Sequence, residues 1–310
     1  CICWDLDNTL WKGIIGEDGP ENVKLNKDAL DLVKSLDQRG ILQSICSKND
    51  STLAWKKLTD EKLDHFFLYP EIHWNPKSQS IKRIANNLNI SIDSIGFIDD
   101  SIRELEEVAL NLPNVKLYNA DEISNLLDYS EFNIPISSMS HLRREMYITE
   151  LKRSSSLIET FNDPDAFLLS CQMELVIGHP KDQIDIDRCL ELLQRTNQFN
   201  LTGNKYSYKG LENLLDSSKH KSFFGRLRDK FGEMGIVIFF SVNTSNKNEV
   251  IIEEFVMSCR VAQKNVDLAV IQWICQNFIQ TNQTKIQIRY KNTGKNKPML
   301  KILTKLSLLI

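Results

Sequence analysis

The chain opens Cys1-Ile2-Cys3-Trp4-Asp5-Leu6-Asp7-Asn8-Thr9-Leu10, an apolar run that ends on two aspartates one residue apart and then a threonine. Successive side chains of an extended strand point to opposite faces, so Asp5 and Asp7 converge only if the backbone turns there. Gathering like charges is unfavourable unless a cation or a phosphoryl transfer uses them. Further polar groups recur downstream in a set order: Ser47-Lys48-Asn49, Pro76-Lys77-Ser78, then Asp99-Asp100-Ser101. Jointly they supply a nucleophile, an acid, a hydroxyl to hold phosphate, a cation and an acid pair for a metal.

Phosphate monoesters hydrolyse very slowly in water, so a site that cleaves them must neutralise charge and hold an in-line attacker. Asp5 is the expected nucleophile, forming an acyl-phosphate that water then opens. The anionic substrate would repel it, which calls for Mg²⁺ held by Asp5, the main-chain carbonyl of Asp7, and Asp99 or Asp100. Asp7 is placed to protonate the leaving oxygen and later to deprotonate the water. Lys77 screens the remaining charge. Ser47 with the adjacent amides of Lys48 and Asn49 would hold the phosphoryl oxygens, and Thr9 is a further substrate-side candidate. Each piece has a plainer reading: Asp-x-Asp as a turn or a solvated calcium-like loop, Asp99-Asp100 as the acidic cap of a helix from Ile102, Lys77 as a solvated first-turn lysine and Ser47 as an ordinary turn residue. Their placement at successive strand ends favours the chemical reading, because ligands of open α/β sheets bind at the carboxyl ends of the strands.

The elements that must position these groups alternate. Strands are expected at Ile2 to Trp4, Ile41 to Cys46, Phe66 to Tyr69, Ile95 to Ile98 and, at an edge, Val115 to Tyr118. Helices are expected at Asp28 to Arg39, ended by Gly40 as a C′ glycine, and at Asp50 to Leu58, Lys77 to Leu88 and Ile102 to Leu110. Such alternation predicts an α/β fold with a parallel sheet covered on both faces. Near residues 112–140 prolines and a serine run punctuate the pattern. The expected layout is residues 1–135 as the parallel-sheet domain, 136–162 as a helical connector and 163–310 as a second domain. In that second domain helical turns precede an antiparallel meander of Phe223 to Leu227, Gly235 to Ser241 and Val250 to Ser258. A helix from Val266 to Phe278 and a strand from Lys285 to Tyr290 follow. The tail after Thr293 reads as irregular.

Composition sets the outer limits. The 310 residues are 42% hydrophobic and 25% charged with a formal net charge of −3, the profile of a globular protein with no global pull towards nucleic acid or an anionic membrane. Seven scattered cysteines lack zinc or redox spacing and are expected to be reduced, buried thiols. No run reaches a transmembrane length and no signal peptide is visible, so the expected location is the cytoplasm.

The ordered motifs resemble those of the haloacid-dehalogenase-like (HAD) phosphotransferases. Asp5-Leu6-Asp7-Asn8-Thr9-Leu10-Trp11-Lys12-Gly13, Ser47-Lys48-Asn49-Asp50 and Phe97-Ile98-Asp99-Asp100-Ser101, followed by Arg103-Glu104 and Glu106-Glu107, are similar to the capless branch found in FkbH-like proteins. Leu193-Gln194-Arg195-Thr196-Asn197-Gln198-Phe199-Asn200-Leu201-Thr202, Phe231-Gly232-Glu233-Met234-Gly235-Ile236 and Ser258-Cys259-Arg260-Val261 extend the resemblance through the second half. It implies a Rossmann-like HAD parallel-sheet domain without a large cap, followed by an α+β acetyltransferase-like (GNAT-like) domain.

The same resemblance implies an activity that takes a glyceryl unit from 1,3-bisphosphoglycerate, removes phosphate and loads the unit on the phosphopantetheine thiol of an acyl carrier protein for polyketide assembly. Mg²⁺ is the implied cofactor. Cys259 is the candidate protein nucleophile, because a cation such as Arg260 beside a thiol raises its thiolate fraction; Arg260 is also a candidate substrate contact. Direct capture by the carrier thiol is the alternative. The loop Ala262-Gln263-Lys264-Asn265 lacks the glycines that relatives carry before the helix, where close backbone approach favours phosphate binding. Either Lys264 substitutes electrostatically or transfer is impaired. Two rival readings stand beside this one: a stand-alone phosphohydrolase of another small phosphoester, and a carrier-protein docking module without transfer activity.

Overall fold

The computed structural model describes residues 1–134, 136–137, 139–160, 164–246, 249–279 and 285–305. It divides into two compact units, Cys1–Ile148 and Thr149–Ile310. The expected connector is thus shared between them, and the expected opening of the second domain at position 163 lies outside the described residues.

In the first unit β1 (Ile2–Trp4) is followed by a small ribbon of β2 (Trp11–Lys12) and β3 (Lys24–Leu25), with α1 (Ile15–Asp18) between them. Then come α2 (Lys27–Gln38), β4 (Gln43–Ser47), α3 (Ser51–Asp60), β5 (Glu71–Ile72), α4 (Lys77–Leu88), β6 (Gly96–Asp99), α5 (Ile102–Asn111) and β7 (Lys116–Asn119). The sheet order is β5-β4-β1-β6-β7, and every pairing in it is parallel. Such sheets are covered on both faces and read as continuous apolar strands; all of β1, β4 and β6 is buried.

Local chemistry sets the helix limits. The Asn26 side chain caps α2 by accepting from the Asp28 amide, and Asp50 caps α3 by accepting from the Leu53 amide. Gly40, at φ 66°, ends α2 in the left-handed conformation expected of a C′ glycine. The strand expected at Phe66 to Tyr69 shrinks to a single bridge. Asp64–Phe66 form a short 3₁₀ turn, Phe67 makes an isolated parallel bridge with Gln43 of β4, the Leu68 amide donates to the Gln43 carbonyl at 2.8 Å, and β5 begins at Glu71.

Helix α6 (Arg143–Thr160) carries the chain across the division, and α7 (Pro164–Ser170) follows. The second unit then contains β8 (Glu174–Gly178), α8 (Gln183–Arg195), α9 (Tyr208–Leu215), β9 (His220–Asp229), β10 (Gly232–Asn243), β11 (Glu249–Met257), α10 (Val266–Phe278), β12 (Lys285–Ile288) and α11 (Lys297–Lys305). Its sheet runs β12-β11-β10-β9-β8. The pairs β8–β9, β9–β10 and β10–β11 are antiparallel, and β11–β12 is parallel. On one face Phe224, Phe239 and Val256 pack with Cys189, Leu193 and Leu211 of α8 and α9. On the other, Phe223, Phe240 and Phe255 pack with the half-buried Trp273 of α10. The tail is also corrected: α11 is an ordered helix with Met299 and Leu303 in the core, one turn apart on the same face. Among the described residues no helix is long and apolar enough to cross a membrane.

Candidate active site

β1 ends at Trp4, and the Asp5 amide still bonds to the Ile98 carbonyl of β6 at 2.9 Å. The chain then turns. The Leu6 carbonyl accepts from the amides of Thr9, Leu10 and Trp11 at 3.2, 2.9 and 3.2 Å. Asn8 takes the left-handed conformation at φ 54°, which asparagine tolerates better than most residues. Its side chain accepts from the Gly13 amide at 3.0 Å. Gly13 itself has φ +102°, and a Cβ there would lie 2.8 Å from Asp18 Oδ2. The backbone thus turns after Asp5, and the side chain of Asp7 is directed to Trp11 and Ile15.

At the carboxyl ends of β1 and β6, Lys77 reaches between two carboxylates. Its Nζ donates to Asp5 Oδ1 at 2.6 Å and to Asp99 Oδ2 at 2.5 Å. Asp5, Lys77 and Asp99 are 5%, 4% and 0% exposed. The ammonium also lies 5.5 Å from the centre of the Phe97 ring. Asp99 Oδ1 accepts from the Ser101 amide at 2.9 Å. Asn49 Nδ2 donates to Ser47 Oγ at 3.4 Å. Burial pushes the Asp5 carboxyl up to about 7; Lys77 opposes the rise, the Asp99 charge adds to it, and the Ser47 hydroxyl opposes it. Burial likewise raises Asp99, against Lys77 and the Ser101 amide. For Lys77, burial acts to lower the ammonium, but Asp5 and Asp99 together outweigh it and hold the group above its ordinary value. Oxygen atoms of Asp5, Asp99 and the exposed Asp100 lie within 4.8 Å of one another. Three carboxylates so spaced fit a hard divalent cation that takes oxygen ligands.

No family model matches this chain, and no curated protein matches it. Among solved structures it is similar to the N-terminal part of protein BF1531 from Bacteroides fragilis, which contains a phosphatase domain complexed with Mg. The identity is 30% and the TM-score 0.39, over 43% of this chain and 39% of that one. It is also similar to a HAD-superfamily hydrolase from Ehrlichia chaffeensis, with 17% identity and a TM-score of 0.32, over 41% of this chain and 95% of that one.

The remaining expected residues are placed as follows. Asp7 is half-buried and outside the trio of carboxylates; its Oδ1 accepts from the Trp11 indole at 2.7 Å and from the Ile15 amide at 3.1 Å. Thr9 is fully buried and its Oγ1 has no hydrogen-bond partner. The Lys48 ammonium pairs with Glu104 Oε1 at 2.8 Å. Cys259 and Arg260 belong to the second unit, in the short 3₁₀ turn Cys259–Val261. Cys259 is half-buried, whereas Arg260 is buried with its guanidinium donating to the Met234 carbonyl at 3.2 Å. In the loop before α10, Gln263 and Asn265 adopt φ of 65° and 56°, so the backbone takes glycine-like conformations without glycines. Lys264 is paired with Glu150 at 2.6 Å.

Sequence reasoning left several neighbours without a role. Trp11 and the Ile15 amide orient Asp7, Glu104 holds Lys48, and Glu107 binds Ser78 beside Lys77. The Arg103-Glu104 and Glu106-Glu107 pairs were visible as part of a motif. Their partners are more than twenty residues away along the chain, beyond the reach of local periodicity.

Proposed function

We propose that the first unit is a Mg²⁺-dependent phosphatase and phosphotransferase domain. The observation that carries this reading is the buried Asp5–Lys77–Asp99 cluster with Asp100 at its edge, at the carboxyl ends of parallel strands. Asp5, Asp99 and Asp100 would hold the cation, which when bound supplies charge neutralisation for an incoming phosphoryl group. An Asp5 oxygen attacks phosphorus, the ester P–O bond breaks, and the leaving oxygen takes a proton from Asp7. Water then attacks phosphorus of the aspartyl-phosphate and gives its proton to Asp7, the P–O bond to Asp5 breaks, phosphate leaves and the Asp5 carboxylate is restored. The indole and amide donors on Asp7 Oδ1 leave its second oxygen to carry that proton. Ser47 and Lys77 orient the nucleophile and screen the phosphoryl oxygens.

The finer reading adds transfer of a glyceryl unit from 1,3-bisphosphoglycerate to an acyl carrier protein. The carrier's thiolate attacks the carbonyl of the mixed anhydride, a C–S bond forms, the C–O bond to phosphate breaks and phosphate leaves; if Cys259 attacks first, the carrier thiol then displaces the Cys259 thiol from that thioester. The first unit hydrolyses the remaining phosphate ester to leave the glyceryl group. Support for an acetyltransferase-like second unit is its antiparallel sheet closed by one parallel pair, β11–β12, joined through α10. The left-handed residues Gln263 and Asn265 before that helix support retention of a phosphate-approach backbone. Engagement of Lys264 by Glu150 argues against its replacing the glycines as a free cation.

Incubating the protein with 1,3-bisphosphoglycerate, Mg²⁺ and a phosphopantetheinylated carrier, and weighing the carrier by mass spectrometry, tests the reading. A glyceryl adduct together with phosphate release is the expected result. Phosphate release without an adduct would leave a phosphohydrolase alone, and carrier binding without either product a docking module.

A further inference from the structure

Helix α4 begins under an electrostatic handicap. Its N-cap is Pro76, which makes no side-chain capping bond, and its first turn contains no acidic residue. The first amides of a helix have no partner within the helix, and that end carries the positive pole of the helix dipole. Lys77 adds an ammonium at this same end, so the residue that bridges Asp5 and Asp99 departs from a turn that electrostatics alone would loosen.

The missing cap comes from another helix. Glu107 of α5 accepts from the Ser78 amide through Oε2 at 3.0 Å and from the Ser78 hydroxyl through Oε1 at 2.6 Å. Ser78 is 3% exposed. Glu107 is itself steadied by Asn111, one turn on, whose Nδ2 donates to its carbonyl at 2.9 Å and to Oε1 at 3.1 Å. One carboxylate therefore satisfies an orphan amide, fixes the residue next to Lys77 and sets a negative charge against the helix pole. Because α5 starts three residues after Asp99, the same helix places the acid pair and braces the lysine that meets it.

We infer that Glu107 is a positioning residue for Lys77: acting as a cap supplied in trans, it sets the first turn of α4 so that the ammonium lies between Asp5 and Asp99. The inference rests on the reading of that cluster as a phosphoryl-transfer site. It assigns Glu107 no contact with substrate or metal. The exposed neighbour Glu106 has no such part.

The experiment compares wild type with Glu107→Ala, Glu107→Gln and Glu106→Gln, all as the full chain. Phosphate release from p-nitrophenyl phosphate, Mg²⁺ binding by calorimetry and thermal melting are measured on each. Misaligning a catalytic group by an ångström costs up to about a hundredfold in rate, so kcat of Glu107→Ala should fall at least about tenfold with KM little changed. Glu107→Gln keeps an acceptor for Ser78 and should fall between Ala and wild type, while Glu106→Gln should match wild type. The discriminating readout is Mg²⁺. A lysine released from between the carboxylates repels the cation less, so Glu107→Ala should bind Mg²⁺ at least as tightly as Glu107→Gln while turning over more slowly. Loss of rate, Mg²⁺ affinity and melting temperature in parallel would make Glu107 a merely structural residue and overturn the inference, as would a wild-type kcat in Glu107→Ala. If wild type itself neither binds Mg²⁺ nor releases phosphate, the reading of the site falls first and the inference with it.

Discussion

Each unit buries carboxylates, and the two sets differ in how completely they are answered. In the second unit Glu254 is 3% exposed and its oxygens accept from Thr202 Oγ1 at 2.7 Å, Asn204 Nδ2 at 2.6 Å and the Tyr206 hydroxyl at 2.7 Å. Asp229 in the same unit takes two bonds from Arg153, at 2.6 and 2.8 Å, and further bonds from the amides of Phe231 and Gly232. These groups are saturated. In the first unit, Asp5 and Asp99 share one ammonium, and Asp100 adds a third negative charge at the edge. Burial of a carboxylate is tolerated when donors answer it; Lys77 and the Ser101 amide are the donors to Asp5 and Asp99, and with Asp100 the three carboxylates fit a divalent cation.

The contrast can be broken first at its strongest point. Asp5→Asn should leave the fold intact and reduce phosphate release by roughly a thousandfold or more, the scale for losing a covalent nucleophile; release at the wild-type rate in a phosphate assay would remove Asp5 from the mechanism. Glu254→Ala should do the opposite, leaving phosphate release per folded molecule unchanged. It should destabilise the protein by about 1–3 kcal/mol, because the buried Thr202 hydroxyl loses its acceptor, along with two donors nearer solvent on Asn204 and Tyr206, as read from denaturant unfolding.

A third test uses pH. Because burial holds Asp5 up to about 7, the metal-free fold binds a proton there that the unfolded chain has already released above about 4. The native state then holds more protons than the unfolded state, so this group lowers stability as pH rises from about 4 to about 7. Asp5→Asn should flatten the pH dependence of the melting temperature across that window without Mg²⁺, and Mg²⁺ binding to wild type should strengthen with pH and release protons. The smallest effect belongs to the loop before α10. Asn265→Gly should change stability by no more than about 1 kcal/mol, in the stabilising direction if relief of the left-handed strain outweighs the added chain entropy.

Much of the first unit was legible because its elements obey local rules. Pro76 marks the start of α4 and Gly40 the end of α2, and the buried strands read as unbroken apolar runs. The convergence of Asp5, Lys77 and Asp99 was readable from the strand-end rule, which turns positions in sequence into positions in space. Phe66 to Tyr69 was read too long: the run meets β4 only through the Phe67–Gln43 bridge and the Leu68 amide, and the pairing resumes at Glu71. The long hairpin β9–β10 was read too short, since the missed end of β9 carries polar residues such as Arg228, which pairs with Glu174 of β8. Helix α9 was missed because it is brief and contains Gly210; the Ser207 cap was its only local signal. The partners of Lys48 and Ser78 depend on two helices meeting, which no single segment encodes.

Two indoles stand beside the acidic pair. Trp4 immediately precedes Asp5, is fully buried and donates from Nε1 to Gln43 at 3.0 Å, while Trp11 donates directly to Asp7. The protein therefore carries a native optical probe beside its acidic cluster. Any ligand that draws the Asp7 carboxylate aside changes the polarity felt by the Trp11 ring, so emission intensity and wavelength record occupancy without a label.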